Sequence, residues 1–270
     1  MISYQQDTYK QLGPGPGIPT LRFHAGEVRR IGQLIGRGQF RTGWHRTQSL
    51  LANVWNFQVR RHAIKARCPC CGWEGPGFIS LSNWRAVQHN SRCPGCDSRS
   101  RHRGLARLLP ELLRAKPEGP VLVFAPEPSL LGLIARHVND TVKTTDYRRT
   151  DVDYPREDIQ QLTFADNSFA FLTCNHVLEH IPDDRQALRE CARVLKPGGV
   201  AVFTIPGDYH KQETWYLDKA DVDGHLRHYG MDVLDKMHAS FNQVETVDMS
   251  AGADPYWHIY PGDTAFICRK

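Results

Sequence analysis

From Val121 to Ile205 the chain alternates short apolar runs with stretches of helical periodicity, and this alternation restricts the possible folds more than any other feature. Val121 to Phe124, Val142 to Asp146, Phe169 to Cys174 and Val200 to Ile205 read as strands, Ser129 to Val138 and Asp183 to Leu195 as helices, the last closed by Pro197-Gly198-Gly199. Strands that are apolar throughout, rather than alternately apolar and polar, are suited to a parallel sheet covered on both faces. Strands separated by helices are the crossover units that build such a sheet. Gln243 to Met249 and Thr264 to Arg269 read as a closing antiparallel pair, and Arg101 to Arg114 as a helix leading into the domain. The expectation is an α/β, doubly wound, mostly parallel sheet over residues 101–270.

Ahead of it lies a different chemistry. Five of the eight cysteines fall between Cys68 and Cys96, and four of them form two C-x-x-C pairs, Cys68/Cys71 and Cys93/Cys96. Each pair places two thiolates on one side of a tight turn, and two such turns complete a tetrahedral set, so Cys68, Cys71, Cys93 and Cys96 are assigned to one Zn²⁺ with Cys70 as a spare. Four thiolates leave no open coordination position, so the role expected of this small zinc-ribbon-like module, residues 66–100, is structural. Clustered rather than distributed cysteines argue for reduced thiols and a cytoplasmic location. No leader-like start and no apolar run long enough for a transmembrane helix is apparent.

Charge divides the chain as well. Residues 1–110 hold 17 Lys/Arg against 4 Asp/Glu, and residues 111–270 hold 17 against 25. A block so basic is either a solvated face or a surface for an anionic partner, nucleic acid included. Within the basic segment 1–65, the run Gly13-Pro14-Gly15-Pro16-Gly17 reads as an arm, Arg22 to Arg41 shows no clear period, and Thr42 to Ile64 reads as an amphipathic helix. Its expected apolar face carries Leu50, Leu51, Val54, Trp55 and Val59, packed on the main domain.

The stretches LTFADNSFAFLTCNHVLEHIPDD (162–184) and ALRECARVLKPGG (187–199) resemble the class I S-adenosylmethionine (SAM) dependent methyltransferases, in particular the branch with an LPF-x-D-x-SFD, LEH and RVLKPGG pattern. The resemblance runs from about Val121 onward and implies a Rossmann-like, seven-stranded sheet with SAM as cofactor. It places Asp146 on the ribose hydroxyls, Asp158 and Ile159 beside the adenine, and Asn175 and His176 at the reaction centre. One loop departs from the family pattern. Where the first strand usually ends in three spaced glycines, this chain has Ala125, Glu127 and Ser129, and Val123 replaces the usual acid. Either Glu127 supplies the missing carboxylate to the methionine ammonium, or the bulkier loop shifts or rejects the cofactor.

For the acceptor, His176 and His180 are the first candidates for a catalytic base, with His210 next. His225 to Gly230 lies where this family inserts substrate-contacting elements. The segment His176-Val177-Leu178-Glu179-His180 also matches the H-x-x-E-H metalloprotease motif. Pro182 stops the long helix that motif needs, and the flanking residues follow the methyltransferase pattern. Three functions are therefore compared. The favoured one is methylation, most simply O-methylation, of a small-molecule or glycan acceptor that is itself anionic. The second is RNA methylation with the zinc module gripping phosphates, and the third a non-catalytic binding protein on the same fold.

Overall fold

The computed structural model describes residues 16–83 and 85–270. The arm expected at the start of the chain lies, up to residue 15, outside the described residues. Beyond it, the basic segment without a sequence period is a helix, α1 (Leu21–Gly36), opened by Thr20, whose Oγ1 accepts the Phe23 N–H at 3.3 Å. Glu27 ties it to the next helix by bridging Arg30 at 2.8 Å and Arg46 at 2.7 Å. That helix, α2 (Phe40–Val54), continues through a π-helical turn, Trp55–Val59. It lies where the sequence places it but is rotated. Leu50, Ser49, Asn53 and Phe57 are buried, whereas Leu51, Trp55 and Val59 are exposed. The reason is polar: the Asn53 side-chain amide donates to Ser80 O at 3.0 Å and its oxygen accepts the Ser80 N–H at 2.7 Å. A buried amide paired with both backbone groups of one residue fixes which side of the helix faces inward.

The cysteine module is built from two hairpins. β1 (Ala66–Arg67) and β2 (Glu74–Gly75) flank the first knuckle, and β3 (Ile79–Ser82) and β4 (Val87–Arg92) lead to the second. α3 (Ser100–Ala115) follows at once. Arg103, on its first turns, is fully buried and stacks over the Phe78 ring at 4.1 Å. Its guanidinium donates to the carbonyls of Asn90, Ser91, Ser98, Trp257 and His258 at 2.6–3.0 Å. One side chain thus joins the cysteine hairpins to the far end of the chain. Ala66, Cys68, Phe78 and Cys93 share a continuous apolar core with Leu105 and Leu109 of α3, with Val121 and Val123, and with Met249.

The remaining elements form a seven-stranded sheet. In chain order they are β5 (Val121–Phe124), α4 (Pro128–Ala135), β6 (Val142–Asp146), β7 (Tyr154–Pro155), β8 (Phe169–Asn175), α5 (Asp184–Val194) and β9 (Leu195–Thr204). A two-stranded excursion follows, β10 (Trp215–Tyr216) and β11 (Arg227–His228), then α6 (Val233–His238), β12 (Gln243–Asp248) and β13 (Thr264–Arg269). The strand order is β12-β13-β9-β8-β5-β6-β7. β5 pairs in parallel with both β6 and β8, so the order reverses at β5, and only β13 runs antiparallel to its neighbours. This is a Rossmann-like doubly wound sheet, in which ligands lie outside the carboxyl ends of the strands where the order reverses. All seven residues of β8 are buried, as a central parallel strand requires. β9 begins earlier than its apolar run, because Leu195 pairs with Phe169 ahead of an irregularity and the regular ladder starts at Val200.

The excursion is fastened over the start of α5. Asp184 Oδ2 accepts hydrogen bonds from Lys236 Nζ at 2.6 Å and Tyr229 OH at 2.8 Å, and pairs with Arg227 at 2.6 Å. All four side chains are nearly inaccessible to water. Among the described residues no helix is long and apolar enough to cross a membrane.

Candidate active site

A cavity of 440 Å³ opens at the carboxyl edge of the sheet. β5 contributes Phe124 and Ala125, β6 contributes Thr145 and Asp146, and the segment after β8 contributes His176, Val177, His180 and Ile181. Asp158, Ile159 and Gln160 close the side. The chain reaches this shape through two left-handed residues, Ala125 at φ 45° and His176 at φ 51°. Ala125 therefore adopts the backbone turn that a glycine would make without strain, and a Cβ stands where a glycine would leave space. Asp146 is held by its own turn: its Oδ1 accepts the N–H groups of Arg148 and Arg149 at 2.7 and 2.9 Å. Asp158 Oδ1 likewise accepts the Gln160 N–H at 2.9 Å. Arg149 donates to Pro126 O at 2.7 Å, fixing the loop after β5 against the end of β6.

Ala125, Asp146, Asp158, Ile159, His176 and His180, picked out from sequence, all line this one cavity. Two other expected residues do not. Asn175 is buried within the sheet, donating to Thr173 Oγ1 and accepting from Thr204 Oγ1, both at 2.8 Å. β8 ends at Asn175, and the left-handed backbone of His176 that follows carries the next side chain to the cavity wall. Glu127 is paired away from the cavity: Arg101 donates to its Oε1 at 2.7 Å and the His102 Nε2 meets its Oε2. Burial alone would raise the Glu127 carboxyl, but the proximity and hydrogen bond of His102 and the Arg101 guanidinium outweigh it and hold the carboxyl at about 2. His102 Nδ1 accepts the Arg99 N–H at 3.1 Å, which leaves Nε2 as the protonated nitrogen facing Glu127. The basic run after the second knuckle was visible in sequence; that it folds back on Glu127 was not.

A second cavity of 190 Å³ adjoins the first and shares His176 as a wall. Arg101, Thr204, Tyr209, Asp263 and Thr264 give it a polar lining. His176 is held down to about 3 by burial and by the nearby Arg101 charge, so its imidazole is neutral across the physiological range. Below it sits Glu179, fully buried, with neither carboxylate oxygen hydrogen-bonded to another residue among those described. Burial pushes its carboxyl up to about 7.

The cysteines also meet. Cys68 and Cys96 sulfurs lie 3.7 Å apart, as do those of Cys71 and Cys93. Zinc–sulfur bonds of about 2.3 Å in a tetrahedron give sulfur–sulfur edges of about 3.8 Å, so the set has the dimensions a zinc ion needs. Cys70 is turned aside, its thiol on His102 O at 3.5 Å. Knuckle geometry explains the closeness: Gly72 N–H bonds Cys68 O at 2.8 Å and Asp97 N–H bonds Cys93 O at 2.9 Å, folding each pair into a turn.

An open α/β sheet of this order places its ligand cavity at the reversal point. Comparison with known proteins narrows this for part of the chain: residues 126–203 match the family model of a methyltransferase domain. A ubiquinone biosynthesis O-methyltransferase of Coxiella burnetii is 35% identical over 57 residues, covering 21% of this chain and 24% of that protein. A demethylmenaquinone methyltransferase of Renibacterium salmoninarum is 41% identical over 78 residues, covering 27% and 33%. The ubiquinone biosynthesis O-methyltransferase of Marinobacter nauticus is 27% identical over 124 residues, covering 38% and 50%. The chain therefore spans at most about half the length of these relatives. A SAM-dependent methyltransferase structure from Mesorhizobium loti superposes with a TM-score of 0.42 at 17% identity, covering 60% of this chain and 96% of that one. A superposition this loose leaves the fold assignment to the strand order itself.

Proposed function

We propose that the chain is a SAM-dependent methyltransferase acting on a hydroxyl of a small-molecule or glycan acceptor. The observation that carries this is the convergence of Ala125, Asp146, Asp158, Ile159, His176 and His180 on one cavity at the carboxyl edge of the sheet. The cavity suits the cofactor chemically. Asp146 offers a carboxylate to two vicinal hydroxyls, Ile159, Val177 and Ile181 give apolar walls for a base, and Asp158 an acceptor for its amino group. Bound there, SAM supplies a methyl group on a sulfonium, whose transfer requires the acceptor atom to be held in line.

The small polar cavity beside His176 suits the acceptor. Its 190 Å³ admits one ring-sized group, and Arg101 brings a cationic donor to its wall, while the Tyr209 and Thr264 hydroxyls, which donate to Ile205 O and Gly262 O, keep oxygen lone pairs for a ligand donor. His176, neutral and shared by both cavities, is placed to accept a hydrogen bond from an acceptor hydroxyl and orient its oxygen toward the first cavity. Because both Glu127 oxygens are engaged by Arg101 and His102, Glu127 acts in this reading by holding Arg101 in position. Cys68, Cys71, Cys93 and Cys96 hold a structural zinc ion in the same proposal, in the core shared with α3.

The test is calorimetric titration of the purified chain with SAM and S-adenosylhomocysteine. Micromolar binding of both supports the reading. Absence of binding to either overturns it, since the loop around Ala125 would then exclude the cofactor.

A further inference from the structure

Beside the cofactor cavity, a second group of ligating side chains stands apart from the cysteines. Glu179 and His180 lie on the 3-10 turn Leu178–His180, and His225 comes from the excursion between β10 and β11. Their ligating atoms all lie within 4.8 Å of one another. His180 Nε2 is 3.8 Å and His225 Nε2 is 4.0 Å from the same oxygen, Glu179 Oε1. Glu179 is fully buried, and neither of its oxygens is hydrogen-bonded to another residue among those described. A buried carboxylate in this state is costly unless a proton or a positively charged group neutralises it.

The two imidazoles are pre-set for that role. His180 Nδ1 is 2.9 Å from Gly224 O, and a carbonyl only accepts, so Nδ1 carries the proton and Nε2 presents a lone pair toward Glu179. Gly224 sits at φ 84°, a backbone conformation that glycine adopts without strain. His225 Nδ1 lies 3.5 Å from Asp221 Oδ2, with its Nε2 on the Glu179 side. Asp221 is itself fixed, its Oδ1 accepting the Asp223 and His225 N–H groups at 2.9 and 3.0 Å. A carbonyl hydrogen-bonded behind one histidine and a carboxylate close behind the other resemble the outer shell that metal-bound histidines have. The loop is tied down over the turn by Leu226 N–H on Glu179 O at 2.8 Å.

We infer that Glu179, His180 and His225 form a binding site for a divalent first-row transition-metal ion at the edge of the cofactor cavity. Two imidazoles and one carboxylate favour such an ion over Mg²⁺ or Ca²⁺, which take oxygen ligands. With bonds of about 2.1 Å, tetrahedral ligand edges are about 3.4 Å, so each histidine-to-carboxylate separation closes with a shift of about half an ångström. This differs from the metalloprotease arrangement, in which His176 and His180 would be ligands and Glu179 the base. Here His176 Nδ1 also approaches Glu179 Oε1, at 3.5 Å, but the compact set of ligating atoms is completed by His225, from 45 residues further along. Three protein ligands leave coordination positions open. His180 lines the 440 Å³ cavity, so those positions face the cavity and take an oxygen ligand there, from water or from an acceptor hydroxyl. The identity of that oxygen as the acceptor's rests on the methyltransferase reading; the metal site does not.

The experiment is metal counting on the full chain. The protein is stripped with a chelator, dialysed against Zn²⁺ and then Co²⁺, and compared with His180→Gln, His225→Gln and Cys93→Ser variants. The expected result is that each histidine variant holds one equivalent less than the parent, while its thermal midpoint in the presence of chelator is unchanged. The Co²⁺ lost in the histidine variants should lack thiolate charge-transfer absorption, and Cys93→Ser should remove that absorption while keeping the other ion. Equal metal content in the parent and both histidine variants overturns the site. A chain that fails to bind SAM yet loses one equivalent on His225→Gln would overturn the methyltransferase reading and leave the metal site standing.

Discussion

Arg101, the second residue of α3, donates a 2.7 Å hydrogen bond to Glu127, the residue that caps the start of α4 after the loop of β5. The cysteine module and the cofactor loop are therefore coupled by a charge pair rather than by chain proximity alone. Glu127→Gln keeps the shape and removes the charge, leaving Arg101 without its counterion in a half-buried setting. Stability should fall by about 2 kcal/mol, the scale of a hydrogen bond to a charged group, with weaker SAM binding because the loop is released. Chemical denaturation and calorimetry on one preparation check both; unchanged values in both would dissociate Glu127 from the cofactor loop.

Asp146→Ala should weaken SAM binding by about 1–3 kcal/mol, as expected for a lost charged hydrogen bond. The Asp146 side chain also caps the turn at Arg148 and Arg149. Asp146→Asn, which retains an acceptor for that turn, separates the two effects. If Asn binds SAM as the parent does, the negative charge on the ribose side carries nothing.

Cys93→Ser should release the zinc proposed for the cysteine set and lower the thermal midpoint of the whole chain in a single transition. The cysteines share one apolar core with α3, β5 and Met249, so the module has no independent core to lose. Calorimetry checks this. Two separate transitions in the parent protein would mean the module unfolds alone.

Asp184→Asn should cost about 3–5 kcal/mol, because Lys236 and Arg227 are left buried without a counterion. Burial alone would raise the Asp184 carboxyl, but the hydrogen bonds from Lys236 and Tyr229 and the two cationic charges hold it below the usual value. The folded value lies below the unfolded one, near 3.9. The stabilisation is thus present above about pH 4 and lost as pH falls through the folded value. Denaturation curves between neutral pH and pH 3 should show the parent losing the difference from Asp184→Asn on the acid side. A constant difference would remove Asp184 as the titrating group.

Asn53→Ala should cost about 1–3 kcal/mol, since it leaves both backbone groups of Ser80 without partners in a buried place. Leu51→Ser, on the exposed side of the same helix, should stay within about 0.5 kcal/mol. Reversed magnitudes would mean that α2 packs through its leucine face.

The alternation of strands and helices after Val121 was legible because periodicity is a local property. Strand β8 is apolar at nearly every position since both its faces are covered, and no tertiary information is needed to see that. The cysteine pairs were legible for the same reason: two residues apart by three fix a turn wherever the turn sits. Asp146 and His176 could be expected near one another because one ends a strand and the other follows directly on one, and the carboxyl ends of parallel strands converge, whereas Asp158 was picked out only through the methyltransferase resemblance. Rotation of α2 was not legible, because Asn53 outranks its leucines only once Ser80 lies opposite it. Nor was the inward turn of Asn175, which depends on Thr204 of the neighbouring strand.

What the amino-acid sequence determined by itself is therefore the order of elements, the covered sheet, the two thiolate turns and the set of residues at the strand ends. Tertiary structure alone decided the pairings between residues far apart in the chain. Glu127 with Arg101, Arg103 with the carbonyls of Trp257 and His258, and Glu179 with His225 are of this kind. The physical reason is one of range. Periodicity and turn chemistry act over a few residues and leave a mark in the local pattern. The partner of a buried charge is chosen by whichever groups the packed fold brings within a few ångströms, and no local pattern records that choice.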